Sequence, residues 1–455
     1  MFVGIAINLT GRLLASASPA SLFANGEQGV WYDPSDISTL FQDNAGTTPV
    51  TTPGQQVGKM LDKSGRGNHA TQSTSTQRPI YGINPIVGTR NRYTYTERFD
   101  NAYWGKTNVT IGADITAAPN GTITADKIQE TSATTFFAVA TNPSSFGFST
   151  TYTWSCYAKA AERNFIFVNF SAISLSGSFD LTTGQTNALL GSPSLSAVSV
   201  GNGWWRCSMT FTTTASGINL LYNIFGPILS AGGGTYTGIA GYGIYVWGAQ
   251  LELGSSATAY QRVGNQYDVT QYGIQSVGYL AFDGVDDNMV TGTITPGIDK
   301  SQMFVGLRKL SDAAKAVVAE LSTTSVTNNG SITLLAPGSA AATNYVFSSR
   351  GTITSTATAT ATPYVAPLTN VVTTIGDIAA DTATLRVNGT VAATSATDQG
   401  TGNYLAYILY IGSRAGTGSF FNGRLYSQIL RFGPNLTTGQ ITSTESWVNS
   451  ETGAY

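Results

Sequence analysis

The stretch Tyr279-Leu-Ala-Phe-Asp-Gly-Val-Asp-Asp-Asn-Met-Val290 decides how the rest of this chain is interpreted. Its apolar residues 279–282 predict a short strand, residues 283–287 a tight acidic turn, and Met289 the start of a second strand. Aspartate side chains accept hydrogen bonds from amides further along a turn, and Gly284 tolerates a positive φ. Taken alone, the stretch predicts a β-turn between two strands.

The composition around this stretch is typical of an all-β chain. Charged residues make up 11% of the 455 residues, and 51 glycines separate many short runs rich in threonine, valine and tyrosine. Such runs favour strands joined by turns, and this length predicts two or three domains. A net charge of −2 without a basic cluster argues against a nucleic-acid surface.

Several other motifs, taken together with the turn, indicate a known type of domain. In order, they are Trp31-Tyr-Asp-Pro-Ser-Asp36, Leu61-Asp-Lys-Ser-Gly-Arg-Gly-Asn-His-Ala70, Arg78-Pro-Ile-Tyr81, the turn itself, and Thr384-Leu-Arg-Val-Asn-Gly-Thr-Val391. Together they resemble the concanavalin A-like (LamG-type) lectin domains of bacterial and phage proteins. That resemblance implies a β-sandwich, and it also covers the closing runs 409–412 and 420–426.

The third motif and the turn lie far apart in the sequence, which predicts an inserted domain. The intervening motifs are Tyr95-Thr-Glu-Arg-Phe-Asp-Asn-Ala-Tyr-Trp104, Tyr157-Ala-Lys-Ala-Ala-Glu-Arg163, Gly203-Trp-Trp-Arg206 and Trp247-Gly-Ala-Gln-Leu-Glu252. They are similar to a carbohydrate-binding-module-like jelly roll common in phage tail and fibre proteins. We therefore predict two antiparallel β-sandwich or jelly-roll domains, one inserted in the other. The predicted parts are an N-terminal arm (1–27), a discontinuous sandwich (28–90 and 263–455) and an insert (91–262).

Two local elements have clear signals. Asn388-Gly389 predicts a tight hairpin turn. Thr437 predicts a helix N-cap, with Gln440 completing a capping box and Leu436 and Ile441 forming a hydrophobic staple. This short C-terminal helix should end near Gly453.

The N-terminal arm is apolar but too short to form a core. We predict that it anchors the protein to a particle through a set of apolar side chains, namely Phe2, Ile5, Ile7, Leu13, Leu22 and Phe23. The alternative is that the arm folds back onto its own sandwich. The arm lacks the basic start and apolar core of a secretory signal, and no run is long and apolar enough to span a membrane.

Motifs for catalysis are missing from the sequence. The single histidine, His69, and the cysteines Cys156 and Cys207 do not form a zinc pattern. We expect a structural histidine and buried free thiols; the alternative is a disulfide, which requires that the two cysteine strands are neighbours with suitable geometry. Glycoside hydrolysis needs paired carboxylates, for which Glu97 with Asp100 is a poor candidate. We expect no enzyme activity and no cofactor.

Calcium is the one metal that the sequence suggests. Asp283, Asp286 and Asp287 could supply oxygen ligands to Ca²⁺, and LamG-type domains often hold this ion. The alternative is that these carboxylates bind only the amides of their own turn.

Aromatic rings stack on the apolar faces of sugars, so they are the candidate glycan-binding residues. The candidates are Tyr103, Trp104, Trp204, Trp205 and Tyr236. Each could equally belong to the core. Trp204 and Trp205 are adjacent, so on a strand they must point to opposite faces.

The resemblances imply a bacteriophage virion protein, displayed as a fibre or decoration and adhering to host-surface glycan. Its expected partners are other virion proteins and further copies of itself, with a trimer favoured. It would be assembled in the host cytoplasm and released by lysis. The alternatives are a purely structural head or tail decoration protein and a capsule depolymerase.

Overall fold

The computed structural model describes residues 18–141, 146–213, 223–325, 327–359 and 363–455. It is almost entirely β-structure with antiparallel sheets and a short C-terminal helix, which confirms the predicted fold class. No helix among the described residues has the length and apolar character needed to cross a membrane.

The chain divides into two compact units, which we call the split unit (Met1–Gly82 with Val277–Tyr455) and the inserted unit (Ile83–Ser276). The predicted insert, 91–262, lies within the second of these. Residues 83–90 and 263–276, which the sequence analysis gave to the sandwich, belong to the inserted unit. Arg90 shows why: its guanidinium donates hydrogen bonds to Thr258, Ala259 and Gln271.

The strands are numbered in chain order. The first five are β1 (Gln28–Tyr32), β2 (Leu40–Phe41), β3 (Lys59–Met60), β4 (Ala70–Thr71) and β5 (Ile80–Pro85). The next sixteen are β6 (Gly105–Thr107), β7 (Val109–Ala117), β8 (Ile123–Glu130), β9 (Thr134–Thr135), β10 (Ala138–Thr141), β11 (Thr151–Ala160), β12 (Phe165–Phe170), β13 (Leu175–Asp180), β14 (Thr186–Leu190), β15 (Ser194–Gly201), β16 (Trp204–Thr212), β17 (Asn223–Ile228), β18 (Tyr236–Thr237), β19 (Gly243–Leu253), β20 (Gln261–Asn265) and β21 (Asp268–Gln271). The last twelve are β22 (Ser276–Asp283), β23 (Met289–Ile294), β24 (Lys300–Lys309), β25 (Val317–Leu321), β26 (Ser331–Leu335), β27 (Tyr345–Arg350), β28 (Thr354–Ala359), β29 (Leu368–Asp377), β30 (Thr382–Val387), β31 (Thr390–Ser395), β32 (Tyr407–Ile411) and β33 (Asn422–Phe432).

The split unit contains two sheets, with strand orders β22-β33-β24-β29-β30-β31 and β2-β3-β4-β23-β32-β25-β26-β27-β28. Strand β1 also pairs with β33, Val30 lying opposite Leu430. The stretch that opened the sequence analysis forms the predicted strand, turn and strand. Its two strands, β22 and β23, belong to different sheets, so the acidic turn carries the chain from one sheet to the other.

The local predictions for this unit are confirmed. Asn388 and Gly389 have φ values of 49° and 77° between the paired strands β30 and β31, as a two-residue turn with both central residues at positive φ requires. Helix α1 (Thr438–Ser450) begins with the predicted capping box of Thr437 and Gln440. Gly453 follows the helix with a φ of 64°, and its N–H donates to the carbonyl of Asn449.

Residues 18–27 fold back onto the split unit. Leu22 and Phe23 lie in a 3₁₀ helix (Pro19–Phe23) and are 6% and 2% exposed. Arg431 Nε donates to the Leu22 carbonyl at 2.8 Å. The prediction that these two side chains attach to a particle is therefore corrected, because their apolar surface is covered within the chain. Phe2, Ile5, Ile7 and Leu13 lie outside the described residues.

The inserted unit is a sandwich of two six-stranded sheets, ordered β14-β13-β12-β17-β10-β6 and β15-β16-β11-β19-β8-β7. Side chains from both sheets meet in one core, including Trp104, Trp154, Ile166 and Phe225. Cys156 and Cys207 lie opposite each other on β11 and β16, and both are buried free thiols, as expected.

Candidate functional site

The inserted unit has a cluster of aromatic side chains on the face of β11 and β19 that points away from its core. Along β11, Trp154, Cys156 and Ala158 enter the core, so the alternation of a strand turns Tyr157 to the opposite side. Trp247 of β19 lies opposite Tyr157, and Tyr260 precedes β20. The three rings contact one another, with centroid distances of 5.3 Å for Tyr157–Trp247 and 4.6 Å for Trp247–Tyr260.

Hydrogen bonds and one close backbone approach fix these rings. Trp247 Nε1 donates to Thr124 Oγ1 at 3.0 Å, and the hydroxyls of Tyr260 and Thr96 are 2.7 Å apart. Gly248 has a φ of 64°, and a Cβ there would lie 3.1–3.2 Å from the rings of Tyr157 and Tyr260. Glycine is therefore required at this position for the rings to pack as they do.

These rings form one wall of a cavity with a volume of about 750 Å³. We call it the aromatic cleft. It is lined by Glu97, Pro119, Asn120, Tyr157, Trp247, Ala259, Tyr260, Arg262, Thr270, Gln271 and Tyr272. Tyr272 is fully exposed, whereas Trp247 is 4% exposed. The cleft thus combines a rigid aromatic wall with a ring held out in solvent.

The charged groups of the cleft are arranged around Arg262. Its Nη1 lies 2.9 Å from Asp268 Oδ2, and its Nε lies 3.8 Å from Glu97 Oε2. Burial raises the pKa of Glu97, while Arg262 and a hydrogen bond from Tyr260 oppose that rise. Burial and the nearby Glu97 raise the pKa of Tyr260, so its hydroxyl stays protonated and can donate. The guanidinium and carboxylate groups can therefore bind hydroxyl groups of a ligand stacked on the rings.

The sequence-predicted aromatics occupy other positions. Trp104 is fully buried in the core and donates from Nε1 to the Tyr95 carbonyl, while Tyr103 packs edge-on against it. Trp204 is 2% exposed and belongs to the same cluster as Trp247. Neither tryptophan presents a ring face to a ligand, which corrects their assignment as stacking residues.

The other two predicted aromatics are partly buried. Trp205 packs against the core, on the side opposite to Trp204, as the alternation of a strand predicts. Tyr236 donates from its hydroxyl to Glu130 Oε1 at 2.5 Å, and Arg163 holds the same carboxylate. The five predicted rings therefore do not meet at one site.

Sequence reasoning did not identify the aromatic residues of the cleft as candidates, although Tyr157 and Trp247 begin two of the quoted motifs. Glu97 lies in a third motif and was considered only as a catalytic carboxylate. The outward position of Tyr157 and Trp247 could be derived from the alternation around Cys156 once β11 was placed. Tyr272 follows a short strand and carries no sequence signal of its own.

The acidic turn forms as the turn-amide alternative predicts. Asp283 Oδ1 accepts the amides of Val285, Asp286 and Asp287, and Asp287 Oδ2 accepts the Asp283 amide. The three carboxylates lie within 4.8 Å of one another. Burial, together with Asp283, raises the pKa of Asp287 to about 7. The pKa is raised first by burial of this carboxylate and then by the nearby Asp283 and Asp286. Calcium binding at this turn stays a prediction.

His69 has the structural role predicted for it. Its Nδ1 accepts the Asp62 amide at 3.0 Å, and the Asp62 carboxylate in turn accepts the amides of Trp31, Ser64 and Asn68. These bonds hold the loop after β3.

No protein-family model and no curated protein matches the sequence. Solved structures similar to it include the CBM40 domain of the Ruminococcus gnavus IT-sialidase bound to α2,3-sialyllactose, with 16% identity, 33% of this chain and 84% of that chain covered, and a TM-score of 0.27. Another is the receptor-binding domain of botulinum neurotoxin mosaic serotype C/D, with 10% identity, coverage of 37% and 42%, and a TM-score of 0.30. A third is the NanB sialidase of Streptococcus pneumoniae, with 13% identity, coverage of 32% and 24%, and a TM-score of 0.26. At this level of similarity, the neighbours assign neither a ligand nor a residue role to this chain.

Proposed function

We propose that this protein is a bacteriophage virion structural protein, displayed as a fibre or decoration, that binds host-surface glycan through the aromatic cleft. The cleft is the observation that carries the glycan part of the proposal. The virion part is supported by the resemblance of both sets of sequence motifs to domains of phage proteins. Symmetric oligomers are the usual state of such proteins, and a trimer remains the favoured state.

The chemistry of the cleft suits a saccharide. A pyranose ring has an apolar C–H face, which the rings of Tyr157, Tyr260 and Tyr272 can cover. Its hydroxyl groups need donors and acceptors at the rim, which Glu97 and Arg262 supply. A volume of about 750 Å³ lies within the usual range for ligand pockets.

Binding without turnover is part of the same proposal. Glu97 and Asp268 both contact Arg262, and paired carboxylates are what glycoside hydrolysis would use. We assign them to holding Arg262 and to binding hydroxyl groups. Incubation with capsule or cell-surface polysaccharide should release no reducing sugar. Release that is lost in Glu97→Gln would identify a depolymerase instead.

A glycan array comparing three proteins tests the binding. Wild type and Tyr242→Ala should bind the same glycans, because Tyr242 is exposed in the same unit and does not line the cleft. Tyr272→Ala should bind them about fivefold more weakly, since a lost ring contact is worth about 1 kcal/mol. No glycan binding by wild type, with normal incorporation into particles, would favour a purely structural decoration protein. Images of virions labelled with antibody against this protein would show its position.

A further inference from the structure

A second cluster of apolar side chains lies on the outer face of the other sheet of the inserted unit. Along β12, Ile166, Val168 and Phe170 enter the core. The intervening residues, Phe165 and Phe167, therefore lie on the outer face, where they pack with Ala138, Ala140, Ile224 and Ile228. Asn169 continues the same alternation and is the polar residue that β12 contributes to this face.

A groove of about 360 Å³ opens over this cluster. Its apolar lining consists of Phe136, Phe167, Leu189, Ile224 and Ile228, and Asn169, Ser176, the glycines 232–234 and Thr235 complete the lining. Phe136 is 38% exposed and Phe167 is 8% exposed, so one ring forms the rim and the other the floor. None of the lining residues is charged, in contrast to the aromatic cleft, and the two cavities share no residue. The groove therefore suits an uncharged ligand.

Asn169 gives the groove a specific polar requirement. It lines the groove, but its Oδ1 is buried and has no hydrogen-bond partner among the described residues. A buried acceptor without a partner is destabilising, because it has lost its hydrogen bonds to water and gained none in return. A ligand that brings an N–H to this carboxamide would remove that destabilisation. Because the terminal torsion of asparagine is broad, a partial rotation of the carboxamide would turn this oxygen towards the groove that the side chain lines.

We propose that this groove is a second saccharide site and that it selects a neutral sugar with an acetamido group. The acetamido N–H would donate to Asn169 Oδ1. Its methyl group would pack against Phe167 and Ile224, and the apolar face of the sugar ring would lie on Phe136. An acetamido group combines an N–H donor, which Asn169 can accept, with a methyl group that suits the apolar residues of the groove.

The test uses two disaccharides that differ only in the acetamido groups. Full-length protein is titrated by calorimetry with N,N′-diacetylchitobiose and with cellobiose. We expect diacetylchitobiose to bind at least about tenfold more tightly, because cellobiose lacks both the N–H donor and the methyl group. The Tyr272→Ala protein should show the same preference, which separates this groove from the aromatic cleft.

Variants locate the binding. Asn169→Leu should weaken diacetylchitobiose binding at least about tenfold without lowering the melting temperature, since it replaces an unpaired acceptor with an apolar side chain. Asn164→Leu, at an exposed position just before β12, is the matched control and should bind normally. Phe136→Ala, which removes an exposed ring, should also weaken binding and serves if Asn169→Leu does not fold. Equal binding of the two sugars, no binding of diacetylchitobiose, or unchanged binding in both Asn169→Leu and Phe136→Ala would overturn the proposal.

Discussion

The two units treat an apolar patch on the outside of a sheet in opposite ways. In the split unit, Phe304, Val371 and Ile429 form such a patch on neighbouring strands, and Val448 of α1 packs onto it. Trp31 and Trp447 meet there edge to face, 5.6 Å apart, and an ion pair between Arg386 and Glu445 ties the helix to β30. In the inserted unit, no described helix covers the rings around Trp247. A patch that the chain covers contributes to stability, whereas one left partly open can contact a ligand.

The first test of this comparison removes the N-terminal residues that, with α1, cover the apolar patch of the split unit. Deleting residues 2–24 takes away Leu22 and Phe23, and we expect the split unit to lose about 5 kcal/mol of unfolding free energy, as for other large buried apolar side chains. Deleting residues 2–17 leaves Leu22 and Phe23 in place and is the control for the longer deletion. Urea denaturation followed by tryptophan fluorescence measures both.

The same two deletions test the anchor. If residues 1–17 attach the protein to a particle, the shorter deletion should melt normally and fail to co-purify with virions. Incorporation at wild-type occupancy would place the anchor elsewhere in the chain.

The second test of the comparison places a charged side chain between α1 and the patch that it covers. Val448→Asp buries a carboxylate among Phe304, Val371 and Ile429, and we expect a loss of about 4 kcal/mol. The control is Val391→Asp on the edge strand β31, where the valine is 52% exposed, and it should change stability by less than about 0.5 kcal/mol. A similar loss in both variants would mean that the helix does not seal the patch.

The third prediction concerns pH. Because the pKa of Asp287 is raised to about 7 in the folded protein from its ordinary value near 4, the stability it contributes is present below about pH 4 and is lost as the pH rises to about 7. Asp287→Asn keeps an acceptor for the Asp283 amide, so the variant should be about 2 kcal/mol more stable than wild type at pH 8, with little difference at pH 4.

The Asp287→Asn variant also tests whether the acidic turn binds calcium. If the acidic turn binds only its own amides, adding calcium or a chelator should leave the melting temperature of wild type unchanged. A calcium-dependent rise that disappears in Asp287→Asn would show that Asp283, Asp286 and Asp287 hold the ion.

The smallest effect is expected at the open patch. Tyr272→Ala should change the unfolding free energy by less than about 0.5 kcal/mol, because the ring is fully exposed. Trp247→Ala, in the same cleft, should lower the unfolding free energy by about 3 kcal/mol, because this ring is buried. If Tyr272→Ala were as destabilising as Trp247→Ala, the Tyr272 ring would be packed in the folded protein and would not be available to a ligand.

The sequence predicted those features that depend on local chemistry. The acidic turn, the Asn388–Gly389 hairpin and the capping box at Thr437 each need only a few neighbouring residues, and all three are present. The candidate site was harder. Trp204 alternates in its strand just as Tyr157 and Trp247 do in theirs. Alternation with period two predicts which face of the sheet a ring lies on, but not which other residues cover that face. The residues that cover each ring come from distant parts of the chain.

The pairing of β1 with β33 has a consequence for the order in which the protein is made. Val30 needs Leu430 as its partner, so the first strand leaves the ribosome about 400 residues before that partner exists. At about 5–20 residues per second, roughly 20 to 80 seconds pass between them. The inserted unit is continuous in sequence and can complete its own sheets within that interval. If the inserted unit folds first, strands β1 to β4 lack the rest of their sheets until β22 to β33 have been synthesised. During that time their apolar side chains are exposed and can bind chaperones. A truncated nascent chain ending after residue 300 should therefore protect the inserted unit from protease but not residues 28–82.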